Sequence, residues 1–423
     1  MLNRGSAGVT MSGSELFNKL REDFSILRGN LLVLVVSWIF LYFAGSMVYP
    51  YETLYLQALG ASPFTIGLIG SLGTALLCFS RIPGAYIADR YGRRKIIVTM
   101  TYGAALSYVL LAVAPDWRFA TLGIAIYNLC LIYQPALQAI TADSISPEKR
   151  GMGYALANVV PSAPAVLAPL AVRFLVEQYG FMMGVRITYW LVMLLSLTAA
   201  VVRTLWLEET LKTSAKPGRL SSEFKRSVIE VFAALKGMSK PLAVLTLIML
   251  ISSFEEPMFH SFMSLYAVDV AGISKPDWAL LNVIYLVVPL VAGIPLGRLV
   301  DIVGRKKALL AAYALWIPST AYFVYCRNLI GMALVFVVFT LGASLFMPAY
   351  QALLADLTPR EMRGRVMGVV GTLNLLVMIP ASALGGLLYE MKPASPFLLC
   401  VVLGMVCMVL IVLLIKEPVR REV

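Results

Sequence analysis

Charged residues are scarce in this sequence. Only 14% of the 423 residues are Asp, Glu, Lys or Arg, whereas 60% are hydrophobic. A soluble chain would carry about a quarter charged residues. Twelve apolar runs reach the roughly 20 residues that an α-helix needs to cross a bilayer. Long continuous runs exclude a β-barrel, whose strands alternate apolar and polar residues. The sequence therefore predicts an all-α membrane protein with twelve transmembrane helices.

Residues typical of enzymes and metalloproteins are also rare. The sequence has one histidine, and its five cysteines lie in apolar runs without metal-ligand or disulfide spacing. It contains neither a G-x-x-x-x-G-K-[ST] phosphate-binding loop nor a covalent-catalysis motif. We therefore expect a protein that is not an enzyme and that uses no metal and no cofactor. The N-terminus has no short apolar region with a small-residue cleavage site, so we expect no removable signal peptide.

Lysines and arginines are distributed unevenly around the predicted spans. When the termini and every second loop are assigned to one side, that side holds 28 of the 35 Lys and Arg residues, and the opposite loops hold four. Because positively charged loops remain on the cytoplasmic side, we expect both termini in the cytoplasm. The net charge of +12 then reflects the topology of a cell-membrane protein and does not indicate a nucleic-acid partner.

One long polar connection divides the chain near its middle. The sequence predicts a cytoplasmic amphipathic segment (1–29), an N-terminal six-helix bundle (30–206), a cytoplasmic linker with a surface helix (207–240), a C-terminal six-helix bundle (241–415) and a cytoplasmic tail (416–423). The amphipathic stretches within it, 12–28 and 223–236, are expected to lie on the membrane surface. Nothing in the sequence requires an oligomer, so we expect a monomer in the lipid bilayer.

Two motifs occur once in each half of the chain. Asp89-Arg90-Tyr91-Gly92-Arg93 corresponds to Asp301-Ile302-Val303-Gly304-Arg305, at an offset of 212 residues. Asp143 with Arg150-Gly151 corresponds to Asp356 with Arg363-Gly364, at an offset of 213. Repeats with the same membrane orientation are found in transporters whose substrate site lies near the membrane midplane, between the halves.

These motifs resemble the loop signatures of the major facilitator superfamily, over nearly the whole chain. The copies are unequal, since Ala85 stands where the second copy has Gly297. The resemblance implies two pseudo-symmetric six-helix bundles that transport by alternating access. It also implies a conformational latch on the cytoplasmic side, whereas simple topological anchoring is the alternative interpretation. The implied latch residues are Asp89, Arg90, Gly92, Arg93, Asp143, Arg150, Asp301, Gly304, Arg305, Asp356 and Arg363.

Two adjacent acids lie near the middle of the predicted seventh span. Glu255 and Glu256 precede Pro257, which removes a backbone donor and kinks the helix. His260 lies four residues after Glu256 and shares its helix face. An acid at this depth costs about 2.5–3.5 kcal/mol on insertion scales, so it usually serves transport. We predict that Glu255 or Glu256 takes up and releases a proton, with His260 as a relay. A structural hydrogen-bond cluster is the alternative.

Other candidate residues lie on spans one, four and ten. Glu52, near the outer end of span one, is a candidate for proton or substrate binding. The alternative is that it simply lies in the membrane interface. Spans four and ten carry matching polar stripes, and the family resemblance implies that both line a cavity. Ordinary inter-helix packing is the alternative for these stripes. The predicted lining residues are Tyr127, Gln134, Gln138, Thr340, Ser344 and Gln351.

The leading hypothesis is a proton-coupled secondary transporter that exports small drug-like or amphipathic compounds. Two features of the family's drug antiporters are missing, an arginine upstream in span four and a glycine-rich motif in span five. A proton symporter or uniporter for a sugar or an organic acid is therefore an alternative. A non-cycling, transporter-like receptor or scaffold is another, although a static protein gains little from buried charge.

Overall fold

The structure, a computed structural model, describes residues 26–146, 149–211, 237–359 and 362–416. Within these ranges every regular element is helical. In the described ranges twelve helices are long and apolar enough to cross a membrane, which confirms the predicted spans. The predicted surface helix 223–236, residues 12–25 of the amphipathic segment and residues 417–423 of the tail lie outside the described residues.

We number the twelve helices α1 to α12 in chain order. They are Gly29–Val48, Pro63–Tyr91, Arg93–Ala112, Trp117–Asp143, Arg150–Tyr179, Phe181–Trp206, Lys240–Val270, Lys275–Val303, Arg305–Tyr325, Leu329–Leu357, Arg363–Met391 and Ser395–Leu414. A 3-10 turn at Leu131–Tyr133 interrupts α4 just before Pro135, and α5 is interrupted at 166–167, between Pro164 and Pro169. These prolines lack the N–H that a continuous helix would use.

The first predicted span, 31–58, is split in the structure. α1 ends at Val48, and the short helix Glu52–Ala58 follows after a turn. Pro50 lies in this turn and has no N–H for an α-helical hydrogen bond. The Pro50 carbonyl accepts a hydrogen bond from Trp278 Nε1 at 2.7 Å. Because Trp278 belongs to α8, the break in the first span provides a contact with the second half of the chain.

Helices α1–α6 form the N-half and α7–α12 form the C-half. The halves pack against each other through α2 with α11 and through α5 with α8, which is a pseudo-symmetric arrangement. We call the end of the bundle that contains residues 207–211 and 237–240 the linker end. The opposite end, which contains the loop 59–62, is the far end.

The interface between α2 and α11 is packed at the far end only. A Cβ atom added to Gly67 would overlap the Ser382 carbonyl oxygen, and one added to Gly386 would lie 2.5 Å from the Pro63 oxygen. Toward the linker end, a Cβ atom added to Gly371 would meet nothing within 4 Å. Gly371 and Ser382 share one face of α11, because eleven residues make about three turns. The two helices therefore separate toward the linker end.

The buried apolar core shows the same asymmetry. One cluster joins both halves at the far end, where Tyr51 and Tyr55 belong to the same core as Phe262 and Tyr266. The other three clusters each contain residues of one half only. The structure is therefore closed between the halves at the far end, and each half has its own core at the linker end.

Polar contacts between the halves reinforce the far end. Gln57 Nε2 donates to Asp269 at 2.6 Å, and Thr53 and Ser264 share a hydrogen bond of 2.9 Å. Arg173 of α5 pairs with Asp277 of α8 at 3.7 Å. In the repeat, Arg173 occupies the place of Gly386, an exchange that the sequence left unexplained. The structure explains it, because α5 and α8 are joined by an ion pair where α2 and α11 are joined by glycine packing.

Candidate functional site

A cavity of about 700 Å³, the central cavity, lies between the two halves. Most of its wall comes from α1, α3, α4 and α5, while Asn282 and Tyr285 of α8 contribute from the C-half. The predicted lining residues Tyr127, Gln134 and Gln138 all lie on this wall. The 3-10 turn in α4 is also part of it, so an irregular stretch of backbone faces the open space.

The central cavity lies next to a further space on its linker-end side. That space, of about 400 Å³, shares Trp38, Tyr42 and Gln138 with the central cavity. It extends to Thr141, two residues before the end of α4. Together with the separation of α2 from α11, this arrangement gives a path from the linker end toward the middle of the bundle.

A second cavity of about 370 Å³, the C-half cavity, lies within the C-half. Helix α7 places Glu255, Glu256 and His260 on its wall. Much of the remaining wall is aromatic, from Phe259, Tyr285, Tyr313, Trp316, Phe339 and Phe346. Tyr285 lines both cavities and therefore stands between them.

Glu255 and Glu256 occupy different surroundings. Glu256 is exposed, and it interacts electrostatically with Tyr49 and Tyr285, both of which line the central cavity. Glu255 is half-buried, and its Oε1 is buried without a hydrogen-bond partner among the described residues. Adjacent helical residues point about 100° apart, so the two side chains leave α7 in different directions, although both residues line the C-half cavity.

The depth of the acids follows from the length of α7. Glu256 lies sixteen residues after Lys240, where this helix of 31 residues begins, and the rise of ~1.5 Å per residue places it about 24 Å along the axis. Pro257 lies inside the helix directly after the acid pair. The acids are therefore near the middle of the span, beside a proline that weakens the backbone hydrogen bonds.

His260 lies among aromatic rings. Its ring centroid is 5.7 Å from that of Tyr285 and 5.9 Å from that of Phe339, in both cases edge-to-face. Its Nδ1 is buried and has no hydrogen-bond partner among the described residues. The C-half cavity therefore presents two polar atoms, Glu255 Oε1 and His260 Nδ1, with unused hydrogen-bonding capacity.

Glu52 lies apart from the α7 acids. It is the first residue of the short helix after α1 and is half-buried. Its neighbours Tyr51 and Thr53 form hydrogen bonds with Lys275 and Ser264 of the C-half. Glu52 is thus placed at the closed far end of the bundle, in the N-half.

Of the predicted lining residues on α10, Thr340, Ser344 and Gln351 are found on the wall of neither cavity. Thr340 and Ser344 are buried, and their hydroxyl groups donate to carbonyls four residues earlier on the same helix. Gln351 is exposed near the end of α10. The face of α10 that lines the C-half cavity consists of Phe339, Ala343, Phe346 and Met347. The lining face is thus rotated by about one residue from the predicted stripe.

The repeated motifs form equivalent turns at the linker end. Gly92 joins α2 to α3 with a φ of 95°, and Gly304 joins α8 to α9 with a φ of 103°. This backbone conformation strongly favours glycine. Each turn is followed by an arginine that pairs with the aspartate of the other motif in its half. Arg93 Nη1 lies 2.6 Å from Asp143, and Arg305 Nε lies 3.1 Å from Asp356.

The other motif residues lie near these pairs. Asp89 is 3.8 Å from Arg93, and Arg90 donates to Tyr86 at 3.3 Å. Arg363 donates to the carbonyls of Ala355 and Thr358, while Asp301 and Arg150 are exposed. Each of these contacts lies within one half.

Arg203 is a functional candidate that the sequence reasoning missed. The positive-charge count above includes Arg203 with the linker-side loops, and that assignment is wrong, because its side chain is 0% exposed inside α6. The remaining 27 residues on that side still outnumber the four opposite. The sequence did offer one signal for Arg203: it lies inside the predicted sixth span, three residues before the end of that span.

In the part of the chain that the structure describes, twelve membrane-spanning helices in two pseudo-symmetric halves, with cavities and two acids near the middle, define a multi-pass membrane transporter rather than an enzyme. The family model of the Major Facilitator Superfamily matches residues 34–281 and 245–423. The chain therefore belongs to the major facilitator superfamily, as the motifs predicted.

Curated relatives are similar over most of their length. The chain is 24% identical to an uncharacterized MFS-type transporter of Methanocaldococcus jannaschii over 375 residues, which is 86% of this chain and 89% of the relative. It is 28% identical to the multidrug resistance protein MdtG of Enterobacter lignolyticus, over 79% of this chain and 80% of the relative.

Solved structures show the same fold. The nucleoside transporter NupG superimposes with a TM-score of 0.72 at 13% identity, covering 92% of this chain and 100% of NupG. The human organic anion transporter MFSD10 gives a TM-score of 0.63 at 18% identity, covering 90% and 98%. At these identities the likeness establishes the fold alone.

Proposed function

We propose that this protein is a proton-coupled secondary transporter that exports small amphipathic compounds from the cytoplasm by alternating access. The observation that carries the proposal is the acid pair of α7. Both glutamates line the C-half cavity; Glu256 is exposed, and Glu255 has one buried oxygen without a hydrogen-bond partner among the described residues. Burial disfavours the ionised form of a carboxylate, so a change in access to water can drive proton uptake and release.

The proposed orientation follows from the distribution of positive charge. With the linker end in the cytoplasm of a cell-membrane protein, the positively charged loops lie on the expected side. In this proposed orientation the central cavity opens toward the cytoplasm, and the closed far end faces outward. We propose that this is the state that loads a compound for export. We propose a monomer, with one six-helix bundle at 30–206 and the other at 241–415 joined by the linker 207–240.

The proposed class of compound rests on the chemistry of the two cavities. Aromatic side chains dominate the C-half cavity, and tyrosines and glutamines line the central cavity. Such surfaces suit compounds with apolar bodies and few polar groups. The relative MdtG is named a multidrug resistance protein, which agrees with export of such compounds.

We propose that the motif residues form the latch of the opposite state. In that state the linker ends of the halves meet and the far end opens. Asp89 and Asp301 are exposed at the linker end here, so both are available to partners in the other half. Arg93 and Arg305 already tie helices within their halves and would position these acids.

Reconstitution into liposomes tests the proposed function. Purified protein is placed in vesicles with an acidic interior, and the external proton concentration is followed while fluorescent amphipathic dyes are added one at a time. The proposal predicts that dye enters the vesicles as protons leave, at a rate that rises with the pH difference. Dye movement in the same direction as protons would indicate a symporter. Saturable binding without any flux would indicate a receptor.

A further inference from the structure

Arg203 of α6 is a buried cation without a counter-ion. Its side chain is 0% exposed, and no acidic side chain among the described residues forms an ion pair with it. Nη2 is buried and has no hydrogen-bond partner among those residues. An isolated buried charge is strongly unfavourable unless something compensates it.

The groups around Arg203 are neutral. Nε donates to Ser37 Oγ at 3.0 Å, Nη1 donates to Thr101 Oγ1 at 2.8 Å, and the guanidinium carbon lies 5.6 Å from the centroid of the Tyr133 ring. The Ser37 and Thr101 hydroxyls donate in turn to carbonyls of their own helices. These contacts satisfy hydrogen bonds, and the Tyr133 ring and the carboxyl end of α6 offset part of the positive charge, but no anion neutralises it.

The guanidinium lies directly behind the wall of the central cavity. Thr101 and Tyr133, which both contact Arg203, line that cavity. Ser196, on α6 two turns before Arg203, also lines it. A group that enters the cavity beside Thr101 would be separated from the guanidinium by one hydroxyl group. In a medium of low dielectric constant, a charge acts strongly over such a distance.

The C-half lacks this feature. Tyr313 and Phe346, the repeat counterparts of Thr101 and Tyr133 at offsets of 212 and 213 residues, belong to an apolar cluster of buried residues. Among the described residues of the C-half, no arginine or lysine is fully buried. A fully buried cation behind this wall is therefore a feature of the N-half.

We propose that Arg203 creates a binding site for a small anionic group in the central cavity, with Thr101 and Tyr133 as the wall that the group contacts. The ligand is either a free monovalent anion such as chloride or the carboxylate of a transported compound. The site does not depend on proton coupling or on the direction of transport.

Thermal unfolding of the purified full-length protein in detergent tests this site. Sodium chloride and, separately, sodium acetate are titrated at constant ionic strength, with a bulky morpholine sulfonate as the balancing salt. A ligand that binds only the folded state raises Tm along a saturable curve. Wild type and Arg203→Lys should give this curve, and Arg203→Gln should give none.

Matched variants separate the site from general effects of salt. Arg186→Gln removes another arginine of α6, one that donates to the Ala114 carbonyl near the far end, and it should keep the response. Saturation by chloride identifies a free anion, while saturation by acetate alone identifies a carboxylate. If Arg203→Gln does not fold, Thr101→Val should shift the midpoint of the titration several-fold. No saturable response in wild type, or an equal response in Arg203→Gln, would overturn the proposal.

Discussion

Glu390, near the end of α11, accepts a hydrogen bond from the backbone N–H of Phe64 at 3.2 Å. The same carboxylate oxygen lies 3.4 Å from Ser62 Oγ, its other donor. Phe64 is the second residue of α2, so an acid of the C-half caps the positive end of a helix in the N-half. In the proposed alternating-access cycle the two halves separate here when the far end opens, so this contact would break once in each cycle.

Glu390→Gln should shift the protein toward the state with an open far end. The loss of the charge removes roughly 0.3–1 kcal/mol of interaction with the α2 terminus. The Ser71 hydroxyl donates to the Ile379 carbonyl across this interface. A Ser71→Cys substitution in the parent protein therefore reports on the opening of the far end. We expect a membrane-impermeant maleimide, added from the far side, to label this cysteine faster in Glu390→Gln than in the parent.

Asp116→Asn is the matched control for this measurement. Asp116 is an acid at the far end that caps α4 within its own half, because it accepts a hydrogen bond from the Phe119 N–H at 3.0 Å. Its loss should leave the labelling rate close to that of the parent. Equal rates in Glu390→Gln and Asp116→Asn would show that the Glu390 cap does not hold the halves together.

Gly67→Ala should act on the same equilibrium by steric overlap. The added methyl group meets the Ser382 carbonyl oxygen, which belongs to backbone and cannot rotate away. Overpacking of this kind costs about 1–3 kcal/mol. The variant should therefore label faster at the Ser71 cysteine and unfold at lower temperature. Gly371→Ala, where the methyl group meets open space, should do neither. A Gly67→Ala protein that unfolds and labels like Gly371→Ala would contradict the packed far end.

Asp89→Asn should have the opposite effect from Glu390→Gln. If Asp89 closes the linker end in the alternate state, its loss favours the state seen here, and the Ser71 cysteine should label more slowly. Glu208→Gln removes an exposed acid at the linker end outside the motifs and should change little. Unchanged or faster labelling in Asp89→Asn would favour simple topological anchoring of the motif charges.

The two equivalent ion pairs should differ in their contribution to stability. Asp356 and Arg305 are 11% and 14% exposed, whereas Asp143 is 48% exposed. Breaking a buried pair costs about 3–5 kcal/mol, and an exposed one about 1 kcal/mol or less. Asp356→Asn should therefore lower the Tm in detergent more than Asp143→Asn. The reverse order would show that exposure does not decide the strength of these pairs.

The fold could be predicted from the sequence because the features that determine it, apolar run length and an internal repeat, can be read directly along the chain. Apolar run length gave the spans, and the repeat from Asp89 to Asp301 gave the two halves. The glycine turns at Gly92 and Gly304 followed from the same repeat. Where the structure differed, a local interruption was responsible, as at Pro50, which splits the first span.

The site was harder to predict, because it depends on how each helix is rotated within the bundle. Gln134 and Gln138 face the central cavity, while Thr340 and Ser344 of the corresponding helix bond to their own backbone. Sequence spacing alone did not separate these cases. Arg203 was missed for a related reason, since a position near the end of a span does not reveal whether a side chain extends outward or toward the middle of the bundle.

Transport driven by a pH gradient, compared with exchange at equal pH, tests the central claim most directly. Wild type and the double variant Glu255→Gln, Glu256→Gln are reconstituted in liposomes with a dye that wild type transports. The account predicts that the double variant still exchanges labelled for unlabelled dye at equal pH but no longer accumulates dye against its gradient. Accumulation by the double variant at the rate and to the level of wild type would contradict the assignment of proton coupling to the α7 acids.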